Sequence, residues 1–212
     1  MSDGDENPWA AASDDETRTA LADALNRFPR RTVEPDDHKP AAVAIAIVTS
    51  PAGPGIWLTE RAPTLRAHAG QLALPGGRLD AGEDTVAAAL RELHEELGVE
   101  LERSDVLGQL DDYPTRSGYI MTPVVAWVGD DPGVTPNPAE VAIVHRIPFT
   151  ELDVAPRFGS IPGSDRPLIQ LPLLGGFLHA PTAAILYQFR EVALHRRHTR
   201  VDHMEQPRFA WE

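Results

Sequence analysis

The chain has 212 residues, 42% of them hydrophobic, and its 19 basic against 32 acidic side chains leave a formal charge of −13. This suits one cored domain with appended ends, and the absence of Cys excludes a disulfide framework and a thiolate zinc site. The acidic balance speaks against nucleic acid as a partner. The longest apolar run, residues 41–48, is too short to cross a bilayer. The opening MSDGDENPW is acidic where a secretory leader would be basic and then apolar. The expectation is a cytoplasmic protein with no nucleic-acid and no membrane partner.

Residues 1–37 read as an acidic extension, with ten acids and four arginines. Before about residue 16 it reads as disordered. Ala20, Leu21, Ala24, Leu25 and Phe28 then recur at helical spacing. Pro35, Asp36 and Asp37 lead into a first strand at 41–49. The turn PAGPG joins it to a second strand at 55–60. Residues 62–77 read as a long loop crossed by a short strand near 71–74. Residues 83–97 form the best helix, with Val86, Leu90, Leu93 and Leu97 as its buried stripe and Gly98 as its cap. Strands follow at 106–110, 119–128 and 142–148, with a loop at 113–118 and irregular chain at 150–163. Short extended pieces at 168–171 and 176–179 precede a second helix at 182–194. Its apolar side is Ala184, Leu186, Phe189, Val192 and Ala193. This order predicts the α+β class, a mixed sandwich rather than a parallel βαβ sheet.

The chemistry concentrates in GRLDAGEDTVAAALRELHEELGV, residues 77–99. Glu92, Glu95 and Glu96 stand at i, i+3 and i+4, on one helix face. Adjacent like charges destabilise a helix, and a hard divalent cation, Mg²⁺ or Mn²⁺, is the natural relief for clustered carboxylates. The plainer reading is a solvated acidic face. Pro75, Gly76 and Gly77 supply tight backbone whose carbonyls could turn toward a metal. Glu83 and Arg91, about two turns apart, are within reach of an ion pair.

This segment resembles the Nudix box, G-x5-E-x7-R-E-U-x-E-E-x-G-U with U apolar. Gly77, Glu83, Arg91, Glu92, Leu93, Glu95, Glu96, Gly98 and Val99 match its fixed positions. The resemblance implies a metal-dependent pyrophosphohydrolase of nucleoside diphosphate derivatives. It implies a Nudix-type α/β/α sandwich around a mixed β-sheet, with a loop-helix-loop catalytic motif. Glu92, Glu95 and Glu96 would then be the Mg²⁺ or Mn²⁺ ligands, helped by the Gly76 carbonyl. Glu92 is the first candidate for general base, and Glu83 and Arg91 would brace the motif. Glu140 is a candidate further ligand from outside the box; its plainer reading is an exposed acid in a helical first turn. Asp111 and Asp112 come second for that place.

Upstream, LTERAPTLRAHAGQLALPGG resembles the signature of the coenzyme A pyrophosphatase branch. Leu58, Thr59, Arg61, Ala62, Leu65, Arg66, His68, Gly70, Pro75, Gly76 and Gly77 match it. Trp57 and Leu74 stand where that branch has Leu and Phe. His179 to Leu186 is similar to the branch's C-terminal helix start, with Pro181 in place of Gly. The implied substrate is coenzyme A or a derivative, cleaved to 3′,5′-ADP and 4′-phosphopantetheine, with Arg61, Arg66, His68 and Gly77 at the substrate. An arginine can fork onto a phosphate. The plainer readings are a strand-end ion pair for Arg61 and a packed loop side chain for His68.

The organisation expected is an extension at 1–37, a Nudix domain at 38–194 and a C-terminal extension at 195–212. The last, rich in His and Arg, reads as a partly packed, solvated end with Phe209 and Trp211 docked. Its cationic groups could instead meet a phosphate or the acidic surface of a homodimer partner. Two other functions stay open: Nudix hydrolysis of ADP-ribose, NADH or a nucleoside triphosphate, and a non-catalytic Nudix-fold sensor, which would usually have lost box glutamates.

Overall fold

The computed structural model describes residue 9 and residues 12–63 and 70–207. Helix α1 (Asp14–Arg27) begins earlier than composition predicts. Ser13 and Glu16 form a capping box, each side chain accepting the other's backbone N–H, so two amides without intrahelical partners are satisfied. Leu21, Leu25 and Phe28 on this helix and its exit are buried.

Strands β1 (Lys39–Thr49), β2 (Gly55–Arg61), β3 (Leu72–Ala73) and β4 (Gly76–Arg78) come next. Helix α2 (Thr85–Leu97) separates them from β5 (Val106–Gln109), β6 (Tyr113–Pro114), β7 (Tyr119–Asp130) and β8 (Val141–Pro148). These eight strands make one mixed sheet in the order β3-β2-β1-β7-β5, with β4 on β1, β6 on β7 and β8 on β2. The β1–β7 pair is parallel and β1–β2 antiparallel. After α3 (Phe149–Leu152), a small antiparallel sheet joins β9 (Arg157–Gly159), β10 (Leu168–Leu173) and β11 (Gly176–His179). Helix α4 (Thr182–Phe189) ends the regular structure in a π-helical turn at Arg190–Leu194. The segments read as irregular thus contain β4, β6, α3 and β9.

Side chains alternate across β1, so its two faces differ. Val43, Ile45 and Ile47 cluster with Leu21 and Leu25 of α1 and with Leu186 and Phe189 of α4. Ala42, Ala44, Ala46 and Val48 cluster with Ala88, Ala89, Leu93 and Leu97 of α2. The sheet therefore lies between helices, the sandwich expected from the sequence. Alanines on both surfaces bring α2 close to the sheet. Its buried stripe turns accordingly: Ala88 and Ala89 are inside, and the expected Val86 and Leu90 are only half-buried. Among the described residues no helix is long and apolar enough to cross a membrane.

One sequence reading needs correction. Asp111 and Asp112 are buried and committed to internal partners. Asp111 accepts from the Arg31 N–H (2.7 Å), Gln188 (2.8 Å) and Arg200 (2.7 Å). Asp112 accepts from Arg30 (2.8 Å), the Val33 N–H (3.0 Å) and Thr122 (2.6 Å). They tie the chain after α1 and the C-terminal segment to the β5–β6 turn, and they are unavailable as outside acids. The C-terminal segment is part packed and part solvated: Arg196, Arg197, His198, Asp202 and His203 are exposed. Val201, Met204, Glu205 and Gln206 are buried, and the Tyr113 hydroxyl donates to the Met204 carbonyl (3.1 Å). Phe209 and Trp211 lie outside the described residues.

Glu205 is the pin of that segment. Arg116 donates to both its oxygens (2.9 and 2.6 Å), and Ser164 and the Gln206 N–H add to them. These donors, Arg116 first, hold its carboxyl down at about 2 against its burial. A depressed acid stabilises the fold fully above its unfolded value, 4.5, and loses that contribution as pH falls toward 2. Glu205→Ala is expected to be destabilising at pH 7, because the Ser164 hydroxyl and the Gln206 N–H lose their buried acceptor, while the exposed Arg116 can return to water. Urea melts should show the gap from wild type narrowing between pH 5 and 3.

Candidate active site

Helix α2 is set by its ends. Asp84 caps it, accepting the Ala87 N–H at 2.9 Å, and Gly98 closes it at φ 71°, a left-handed conformation that suits glycine. Glu83 therefore lies one residue before the cap rather than in the first turn. Its carboxylate faces back along the helix and accepts Arg91 Nε (2.8 Å) and NH2 (3.1 Å), together with the Asp80 N–H (2.8 Å). Arg91 is a hub: it also reaches Glu92 (2.9 Å), Glu95 (3.0 Å) and the Arg78 carbonyl (3.0 Å). One guanidinium thus joins the loop before the helix, the helix face and strand β4.

The three box carboxylates have different surroundings. The Glu95 side chain is 51% exposed and paired with Arg91. Glu92 is mostly buried, and burial raises its carboxyl, with Glu95 and Glu140 adding to the rise against the pull of Arg91. Glu96 is 4% exposed. Burial, helped by the charges of Glu92 and Glu140, pushes it up to about 7 despite the Gly76 N–H and Arg61. Glu140 lies in a turn whose Asn137 N–H binds the Glu96 carbonyl at the end of α2 (2.9 Å), and its own carbonyl accepts the Ala62 N–H (2.8 Å). It is half-buried and in a turn, not in the exposed helical first turn of the plainer reading. Its charge is felt by both inner glutamates.

Gly76 and Gly77 form a thin wall. A Cβ on Gly77 would stand 2.1 Å from Glu92 Oε1, and one on Gly76 would stand 2.4 Å from the Ala42 carbonyl oxygen. The Gly76 amide donates to Glu96 Oε1 at 3.3 Å, so its N–H, not its carbonyl, makes the recorded contact with the acidic face. Behind this wall lies a cavity of about 590 Å³. Arg61, Gly76, Gly77 and Arg78 line it together with the apolar Leu72, Leu74 and Met121. Arg61 Nε is buried with no hydrogen-bond partner among the described residues, and no carboxylate there pairs with it. Arg66 and His68 lie outside the described residues. Sequence reading overlooks Arg78, since one arginine after two glycines has no spacing pattern. Strand alternation from Gly77 would have placed it on the cavity side.

Among the described residues no three carboxylate or imidazole groups converge as a ready metal cage; Glu92 and Glu95 both accept from Arg91. The donor set still fits a hard divalent cation. Glu92 and Glu96 are largely buried oxygen donors; the charges of Glu92 and Glu140 raise the proton affinity of Glu96, and those of Glu95 and Glu140 raise that of Glu92, so a bound cation would relieve the repulsion without protonating them.

Residues 38–170 match the family model described as the NUDIX domain. The chain belongs to the Nudix family. It is 38% identical over 138 residues to a Photorhabdus laumondii protein named Uncharacterized Nudix hydrolase NudL, covering 62% of this chain and 73% of that one. A Klebsiella pneumoniae protein of the same name is 40% identical over 136 residues, 62% of this chain and 70% of its own length. The crystal structure of the M. smegmatis Nudix hydrolase RenU shares the fold at TM-score 0.51 and 23% identity, over 74% of this chain and 87% of that one. The chain is thus a Nudix pyrophosphohydrolase, of a family that generally uses divalent metal ions, and α2 is its Nudix helix.

Proposed function

We propose that this Nudix hydrolase cleaves the diphosphate of coenzyme A or its derivatives to 3′,5′-ADP and 4′-phosphopantetheine. The observation that carries the reading is the pairing of two unlike surfaces across the Gly76–Gly77 backbone. On one side stand buried carboxylates, and on the other an apolar cavity with an unpaired guanidinium. A diphosphate joined to a long amide-and-methylene arm offers the matching features, and the cavity volume is in the usual ligand range. The upstream match at Leu58 to Gly77 points the same way.

In this proposal Glu92, Glu95 and Glu96 hold Mg²⁺ or Mn²⁺, with Gly76 and Glu140 beside them. When bound, the metal supplies charge neutralisation at the diphosphate oxygens. Arg61 forks onto a diphosphate oxygen, and Arg66 and His68 belong to the same contact. Glu92, against the Gly77 wall, takes the proton of the attacking water. Glu83 fixes Arg91, and Arg91 keeps the glutamates oriented. Phosphoryl transfer asks mainly for such positioning and charge stabilisation. The hydrolase unit spans 38–194 between its two extensions. A cytoplasmic setting and a homodimer complete the proposal, and a monomeric mass in sedimentation would remove the dimer.

The test is a panel of coenzyme A, ADP-ribose, NADH and dGTP with each metal. Rapid release of 3′,5′-ADP from coenzyme A is expected. Cleavage of ADP-ribose with coenzyme A left intact would overturn the substrate while sparing the family.

A further inference from the structure

We propose that Arg78 forms a second anion subsite, which grips a phosphomonoester carried by the substrate beyond its diphosphate. The proposal rests on the coenzyme A reading for the identity of that group, the ribose 3′-phosphate.

Strand register places the residue. Arg78 on β4 stands opposite Ala41 on β1, which stands opposite Met121 on β7. Alternation sends Gly77 toward Glu92 and Arg78 to the other face. There Arg78 lines the cavity with Tyr119, Thr115 and Ser117. Its guanidinium lies 6.0 Å from the centroid of the Tyr119 ring. A guanidinium resting on an aromatic ring keeps its N–H donors available.

Arg78 differs from its neighbours in having no carboxylate. Arg91 satisfies three glutamates, and Arg116, on the adjoining hairpin, is bound to Glu205. Among the described residues nothing anionic meets the Arg78 guanidinium. Its backbone is fixed, since its carbonyl accepts Arg91 NH2 at 3.0 Å. The hairpin beside it is fixed too. Thr115 Oγ1 and Ser117 Oγ are 3.0 Å apart, and the Arg116 N–H and the Pro114 carbonyl are bonded to Gln206. A free, preoriented cation next to an exposed serine hydroxyl, in a chain of charge −13, is built for an anion.

It is also a separate position from Arg61. Arg61 closes β2, which pairs with β3 and β8, whereas Arg78 pairs with Ala41 at the start of β1 and lies over Tyr119 of β7. Arg61 therefore marks the β2–β3 side of the cavity, and Arg78 the hairpin side. A phosphomonoester, with close to two charges and three acceptor oxygens, suits a guanidinium fork far better than a ribose hydroxyl does.

The test compares wild type, Arg78→Gln and Arg78→Lys on coenzyme A and 3′-dephospho-coenzyme A. Binding of adenosine 3′,5′-bisphosphate and of AMP to the same full-length proteins is measured alongside. Wild type is expected to favour the 3′-phosphorylated member of each pair by about ten- to a hundredfold, in KM rather than kcat. Arg78→Gln should bring both preferences close to one, and Arg78→Lys should restore part of them. Absence of preference in wild type, or an equal loss on both members in Arg78→Gln, overturns the subsite. Cleavage of neither coenzyme A form overturns the substrate reading instead, and the binding pair still decides the fate of Arg78.

Discussion

Glu96→Gln is expected to make the metal-free protein more stable at pH 8 and nearly inactive. Glu96 is an acid whose folded value, about 7, lies above its ordinary 4.5. Between those values the folded chain binds more protons than the unfolded one, so stability falls as pH rises through the window. The accumulated loss at pH 8 is about 3 kcal/mol. Glutamine removes the charge and keeps an oxygen for the Gly76 N–H. It also removes a hard oxygen donor, so turnover should fall by at least about a hundredfold, since even partners one step removed from a metal cost 10–100-fold. Thermal melts at pH 5 and 8, with and without Mn²⁺, read both effects. At pH 8 the variant should melt above wild type without metal, and Mn²⁺ should raise wild type more than the variant. A variant less stable at pH 8, or one with wild-type turnover, would show that Glu96 is neither strained nor needed.

The two faces of this site were unequally legible from sequence. The carboxylates of α2 follow from helical spacing alone, and Asp84 and Gly98 bound the helix by ordinary capping chemistry. The helix starts two residues later than 83, because Asp84 is its cap and Glu83 precedes that cap. Strand β4 is Gly-Gly-Arg, which has no intrinsic β preference. It exists because β1 presents Ala41, Ala42 and Val43 as a pairing edge, so β4 has no local signal, and the side taken by Arg78 follows by alternation only once that strand is known. The roles of Asp111, Asp112 and Glu205 were hidden by distance along the chain. Their arginines are 82 residues away for Arg30 and Asp112, and 89 for Arg116 and Glu205 and for Arg200 and Asp111. No local pattern reports such pairs. The rotation of the buried stripe in α2 is likewise tertiary, set by small alanines on the facing strand.

The glycine wall separates the chemistry from the fold, and two neighbouring substitutions should show it. In Gly77→Ala the new Cβ would meet the Glu92 carboxylate, 2.1 Å away. That group is the far end of a flexible side chain, so it can move and the fold should survive with little change in melting temperature. The displaced carboxylate, however, is the proposed base and metal ligand, and activity should fall by about 10²-fold or more, because misplacing a reacting group by about an ångström has that effect. In Gly76→Ala the Cβ would instead meet the Ala42 carbonyl oxygen at 2.4 Å and Val43 Cα at 2.7 Å. Backbone in the middle of the sheet has nowhere to go, so this variant should lose stability, by about 1–3 kcal/mol, as well as activity. Melting curves beside turnover numbers distinguish the two. Gly77→Ala with full activity would mean that the position of Glu92 is immaterial, and the catalytic assignment of the Nudix helix in this chain would have to move to its remaining carboxylates.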